Sequence, residues 1–159
     1  MLKKIISGGQ TGADRGALDA ARELGFAYGG FLPARRKTEA GPLPDEYLME
    51  ELDSPNYPVR TAANVQAGDG TLILSRGALK GGSALTLRIA REKSKPCLHL
   101  DLTKVEDDTA VKKIECWIKG HRLEILNVAG PRASSDDLIY DSTRRLIVAV
   151  IKACCGEPV

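Results

Sequence analysis

Five short apolar runs recur along the chain: Lys4–Ser7, Ala27–Phe31, Thr71–Ser75, Cys97–Asp101 and Leu123–Val128. Each is bounded by Gly, Pro or polar turn residues, as strands are. Between them lie stretches of helical period near Thr11–Leu24, Ser83–Glu92 and Asp107–Ile118, with a last one near Ser135–Cys154. Two shorter helical pieces, near Asp45–Glu51 and Arg60–Ala67, fall between the second and third strands. Alternation of this kind joins strands by right-handed crossovers and covers both faces of a sheet with helices. It predicts an α/β fold, a three-layer sandwich around a mainly parallel sheet of about five or more strands. No repeat, low-complexity tract or interdomain linker interrupts the 159 residues, so 1–159 reads as a single domain.

Composition narrows the function classes. The net charge is +2, from 23 basic and 21 acidic residues, without the basic excess of a nucleic-acid or anionic-membrane surface. Aromatic residues make up 4%, and Phe26, Tyr28 and Phe31 bunch in one apolar segment instead of forming spaced stacking platforms. The opening "MLKKIISGG" is too short an apolar run for a signal-peptide core, and no segment is long enough to span a membrane. A cytoplasmic protein is expected. Cys97, Cys116, Cys154 and Cys155 form no C-x-x-C pair, and only His99 and His121 could supplement them, so no metal site is expected. The vicinal Cys154 and Cys155 read as small apolar residues on a terminal helix, in a reduced protein.

In an open parallel sheet, ligands bind beyond the carboxyl ends of the strands. That rule sorts the candidate residues. The first strand runs into "SGGQTGAD", where Gly8 and Gly9 permit a tight turn, Thr11 suits an N-cap and Asp14 stands three residues on. A helix start of this kind attracts phosphate or carboxylate through its free N–H groups. The turn lacks the lysine of a Walker A loop, and Ser7 stands where a dinucleotide fingerprint needs glycine, so NTPase and standard NAD chemistry are disfavoured. A second turn of the same type, "KGGSALT", follows the third strand, with Ser83 as its expected N-cap. Arg60, Thr61 and Asn64 open a helix on this edge, and Asn127, Gly130 and Arg132 follow the fifth strand. Asp69 precedes its strand and belongs to a structural turn.

The segment Leu32–Pro44, "LPARRKTEAGPLP", is long for a compact domain and carries Arg35, Arg36 and Lys37. It reads as a functional, mobile loop or as a solvated charge run. Glu39 on it is a candidate lid residue and, with Asp14, a weak candidate for acid–base catalysis.

The set "SGGQTGADRGALDAA", "PARRKTEAG", "RTAANVQAGDGTLIL", "GGSALT" and "LNVAGPR" resembles the molybdenum carrier family. That family sits in the Rossmann-like group with the LOG cytokinin-activating hydrolases, the so-called lysine decarboxylase family and the DprA proteins. The likeness spans nearly the whole chain. It implies a Rossmann-like fold, a homo-oligomer and a phosphorylated ligand of nucleotide or pterin type. The family label implies molybdenum cofactor as cargo, held through its pterin phosphate. Carried over by motif, the ligand-binding residues are Gly8, Gly9, Gln10, Thr11, Gly12, Asp14 and Arg15 in the first turn. Arg60, Thr61 and Asn64 follow, then Gly81, Gly82, Ser83 and Thr86, and finally Asn127 and Arg132.

The LOG hydrolases place a glutamate in the helix after their second Gly turn. Here Leu87 to Ala90 occupy that stretch and Glu92 comes too late. Three readings stand open: a binding protein for a phosphorylated small molecule, a nucleotide-processing hydrolase or transferase, and a DNA-handling module, which only the DprA kinship suggests and which the charge and scarce aromatics oppose.

Overall fold

The computed structural model describes residues 1–156; positions 157–159 of the expected domain lie outside the described residues. The element order is β1 (Lys4–Ile6), α1 (Ala13–Glu23), β2 (Tyr28–Gly29), β3 (Phe31–Leu32), β4 (Glu50–Glu51), α2 (Tyr57–Ala67), β5 (Gly70–Ser75), α3 (Gly81–Glu92), β6 (Cys97–Asp101), α4 (Asp107–His121), β7 (Ile125–Ala129) and α5 (Ile139–Cys155). Five strands form one parallel sheet in the order β2-β1-β7-β5-β6. Counted from β7 as the first strand, that order becomes 3-2-1-4-5, the order of a doubly wound nucleotide-binding sheet.

The alternation of β5 explains the layers. Leu72 and Leu74 join Ile5, Leu126 and Val128 in a core closed by α1, α4 and α5, through residues such as Ala17, Ile114 and Ile147. Thr71, Ile73 and Ser75 point the other way, because successive strand residues alternate between faces. That second face is covered by α2 and α3, which pack on each other. Its inward residues, Arg60, Asn64, Ser83 and Thr86, are mostly polar. Asp69, expected in a structural turn, accepts hydrogen bonds from the N–H groups of Glu124 (3.0 Å) and Ile125 (2.8 Å), and so ties the start of β7 to that of β5. The start of the chain meets the end of α5, with the Cys155 thiol 3.3 Å from the Leu2 carbonyl.

Two expectations from the sequence are corrected. The run Ala27–Phe31 is not one strand. It breaks at Gly30, whose φ of 125° takes the chain out of the main sheet, so that Phe31–Leu32 pairs instead with Glu50–Glu51. A Cβ at Gly30 would stand 2.1 Å from the Ser7 carbonyl oxygen. The expected helix over Asp45–Glu51 does not form either. Its residues are drawn into turn and strand by Glu50 N–H donating to Gly30 and Leu52 N–H donating to Leu32. Pairing across the chain outweighs local helix propensity there.

Gly30→Ala should lower stability by about 1–3 kcal/mol, the usual cost of overpacking a filled site, with further strain from the positive φ. Urea unfolding monitored by circular dichroism would show it as a reduced midpoint with unchanged slope.

Candidate functional site

The carboxyl ends of β1, β7 and β5 open on a cleft of about 660 Å³ roofed by the starts of α2 and α3. It lies beside the point where successive crossovers change direction, β1 to β2 running one way and β5 to β6 the other.

The first turn arrives here as Gly8, Gln10 and Asp14, all of which line the cleft. Thr11 is not an N-cap: α1 starts at Ala13 behind Gly12, and no side chain caps it. Thr11 is engaged elsewhere, accepting from the Ala133 N–H (3.1 Å) and donating to the Glu39 carboxylate. The helix start itself is stoppered. The Ala13 N–H donates to the Pro131 carbonyl at 3.1 Å, and Gly12 packs so close that a Cβ would stand 2.4 Å from that same oxygen.

The N–H groups ahead of the helix are also taken. The Asp14 carboxylate folds back to accept from Gln10 N–H at 3.2 Å, and it sits 3.6 Å from the Arg60 guanidinium. This turn, which the sequence suggests for an external anion, holds an anion of its own. Burial pushes the Asp14 carboxyl up to about 6, against the opposing pull of Arg60, the Gln10 N–H and Arg15.

Arg60 donates to the Gly8 carbonyl at 2.8 Å, linking α2 to the first turn. Asn64 spans from α2 to β3, accepting from Phe31 N–H (2.9 Å) and donating to Phe31 O (3.0 Å). Thr61, Asn127 and Arg132 complete this wall. Asn127 donates to Thr71 Oγ at 3.2 Å.

The second turn has the opposite character. α3 begins at Gly81 after Lys80, so Ser83 stands inside the first turn and is not its N-cap. Neither an acidic residue nor a capping side chain occupies this helix start. Gly81 and Gly82 are exposed on the cleft, with Ser83 and Thr86 lining it from the next turn. The first N–H groups of a helix have no intrahelical acceptor, and they carry the positive end of its dipole.

Five expected site residues lie off the cleft lining. Gly9 packs on Leu32, and Gly12 on Pro131. Thr11 faces the loop after β7. Arg15 turns to the other side of α1, its guanidinium 5.4 Å from the centre of the Tyr47 ring. Glu39 is fastened: it accepts from Ser134 N–H (3.1 Å) and Ser134 Oγ (2.5 Å) as well as Thr11, and lies 3.9 Å from Arg132. Burial opposes ionisation there, but these hydrogen bonds hold the Glu39 carboxyl below its ordinary range. Its loop is likewise clamped, by Arg36 donating to the carbonyls of Leu43, Pro44 and Tyr47.

Several cleft residues escaped the sequence reading. Ser75 ends β5 and Arg76 and Lys80 follow it, so the strand-end rule already covered them. Tyr57 heads α2, and its ring is approached by Lys37 Nζ (4.7 Å), Arg60 (5.2 Å) and Arg132 (5.6 Å). Ser75 Oγ lies 2.7 Å from Nε2 of His99, whose imidazole burial pushes below its ordinary pKa.

Residues 5–151 match the family model described as "Circularly permutated YpsA SLOG family". The chain belongs to this family. The description fits a sheet whose order becomes regular when the count starts at β7. A crystal structure of a protein from Syntrophus aciditrophicus SB, described as a "putative molybdenum carrier protein", is 47% identical. The alignment covers 94% of this chain and 95% of that one, with a TM-score of 0.93. No curated protein is matched. Among the described residues, no helix is long and apolar enough to cross a membrane.

For this SLOG chain, the raised Asp14 pKa has a definite sign. The folded state holds the proton more tightly than an unfolded carboxyl near 3.8, so Asp14 lowers stability progressively as pH rises from about 4 to 6. A shift of about two units corresponds to roughly 3 kcal/mol. The stability difference between Asp14→Asn and the parent protein should therefore move in favour of the variant across that window and level off above it. Urea unfolding of both proteins at several pH values checks this.

Proposed function

We propose that the cleft binds a phosphorylated small molecule of pterin or nucleotide type, and that the protein acts as a carrier with molybdenum cofactor as its cargo, a reading in keeping with a relative described as a molybdenum carrier. The observation that carries the reading is the uncapped, acid-free start of α3 at Gly81 and Gly82, with Lys80 and Arg76 beside it. N–H groups at a helix start and neighbouring cations are the standard partners of a phosphate monoester. The ion pairs of two cleft arginines support the same assignment. Arg76 meets Asp136 at 3.6 Å and Arg132 meets Glu39 at 3.9 Å, separations long enough for an incoming phosphate to compete. The phosphate of a molybdopterin cargo would lie at Gly81, Gly82 and Lys80, and the metal would need no protein ligand, since the pterin dithiolene holds it.

Native mass spectrometry of gently purified protein should reveal a bound phosphorylated compound. Lys80→Ala combined with Arg76→Ala should weaken that compound's binding about 10–100-fold, the worth of one or two charge-assisted hydrogen bonds, with unfolding unchanged. Undiminished binding by the double variant would remove the site from α3.

A second reading, an enzyme acting on nucleotides, is supported by the contact of Ser75, which lines the cleft, with His99 behind it. The Ser75 hydroxyl donates to the Gly77 carbonyl at 2.7 Å and lies 2.7 Å from His99 Nε2, so a neutral imidazole takes its proton once the hydroxyl turns from Gly77. Incubation with a panel of nucleoside monophosphates should then release base or phosphate, and Ser75→Ala should abolish the turnover. Absence of turnover across the panel would leave the carrier.

A further inference from the structure

The two ends of the cleft carry opposite demands. At α3 the wall offers donors and positive charge. At the first turn it offers a carboxylate that has already taken the Gln10 N–H, while the Gly9 and Thr11 N–H groups are held by Ser7 and Gln10, so a second anion would meet repulsion there. A ligand whose phosphate lies at α3 must therefore present hydrogen-bond donors to Asp14.

A second, independent observation concerns what stands beside that carboxylate. Gln10 is 94% buried, with 6% of its surface exposed, and it lines the cleft. Its Oε1 accepts from the N–H groups of Thr11 (3.0 Å) and Glu39 (3.0 Å), which fixes the amide orientation. Its Nε2 is left as a buried donor with no partner among the described residues, and so is Nε of Arg60. Buried donors without acceptors are rare and unfavourable, and an acceptor supplied by a ligand relieves them. The first turn thus shows a carboxylate acceptor flanked by unmatched donors.

We infer that the first turn reads the 2-amino-4-oxopyrimidine edge common to guanine and the pterins, Asp14 accepting from its ring N–H and exocyclic amine while Gln10, backed by Arg60, donates to its oxo group. This rests on the phosphorylated-ligand reading above and narrows its ligand class. An adenine edge does not fit: it offers an acceptor at the ring nitrogen that would face the carboxylate, and a donor where the oxo group should stand. The Asp14 carboxyl, raised toward 6 by burial, is stabilised in its ionised form by two ligand N–H groups.

The test is a calorimetric comparison of GMP, IMP, AMP and 6-hydroxymethylpterin phosphate at pH 7.5. IMP differs from GMP only by lacking the 2-amino group. GMP, the pterin phosphate or both should bind about 10-fold or more tightly than IMP, and AMP should be weakest. The order of GMP and the pterin phosphate tells which source of the edge the cleft prefers. In Asp14→Asn the preference for GMP over IMP should shrink to about 3-fold or less. If the wild type binds these compounds but takes IMP or AMP as well as GMP and the pterin phosphate, the assignment of the edge is overturned while phosphate binding stands. The same holds if Asp14→Asn keeps the full preference. If none of the four binds, the phosphorylated-ligand reading falls, and this inference with it. The wild-type comparison needs no variant, so it stands even if Asp14→Asn folds poorly.

Discussion

The contact on which the site depends is the buried pair of Arg60 and Asp14. Arg60 reaches from α2 across to the loop after β1, donates to the Gly8 carbonyl at 2.8 Å and faces Asp14 at 3.6 Å. The loop has been shaped to admit it. A Cβ on Gly8 would stand 2.5 Å from Arg60 Cδ, so only glycine lets the arginine lie flat against the turn. Through this contact, helices on one face of the sheet are held in register with the strand ends that form the cleft floor. The net electrostatic balance is not favourable to the charge itself, since burial outweighs attraction at Asp14. Its value is positional: breaking a buried pair from one side costs about 3–5 kcal/mol because the other charge is stranded.

Two turns of similar sequence acquire opposite electrostatic character. Both carry paired glycines at or before a helix start. In the first, Asp14 lies in the opening turn of α1 and folds back over the Gln10 N–H. In the second, the opening turn of α3 has no acid, and Lys80 precedes it. Glycine content alone therefore does not identify an anion site. What decides is whether the chain supplies its own counter-charge.

Much of the architecture was legible because it depends on period and punctuation. The strands β1, β5, β6 and β7, and all the long helices, follow from apolar periodicity and bounding turn residues, within a residue or two except at the starts of α2 and α5 and the end of α4. The chain misleads where a long-range contact decides. Phe31 reads as the end of one strand, but Asn64, 33 positions away, holds its backbone N–H and C=O in a different sheet. Glu39 reads as a free lid, yet Ser134 and Thr11 fasten it from distant parts of the chain. Thr11 reads as a cap by local rules, while Ala133 N–H claims its hydroxyl. Cleft residues such as Arg60, Asn64 and Asn127 were visible because the strand-end rule needs only topology. Arg15 was not correctly placed, because a residue's angular position around α1 depends on where the helix starts.

The meeting of Leu2 and Cys155 bears on how sequences of this kind are to be recognised. With the start of the chain against the end of α5, the linear order of segments can rotate while their spatial order stays the same. The central strand of the sheet, which opens an unpermuted chain and is where a reader looks for a nucleotide fingerprint, is here the last strand to be made. The loop in the fingerprint's position is "AGPR", from Ala129 to Arg132, near the end of the chain. The Gly-rich turn at the beginning occupies a neighbouring strand and was never that loop. Pattern searches that assume a fixed direction of reading will pass over such chains, and comparing them with unpermuted relatives requires aligning the circle and not the line.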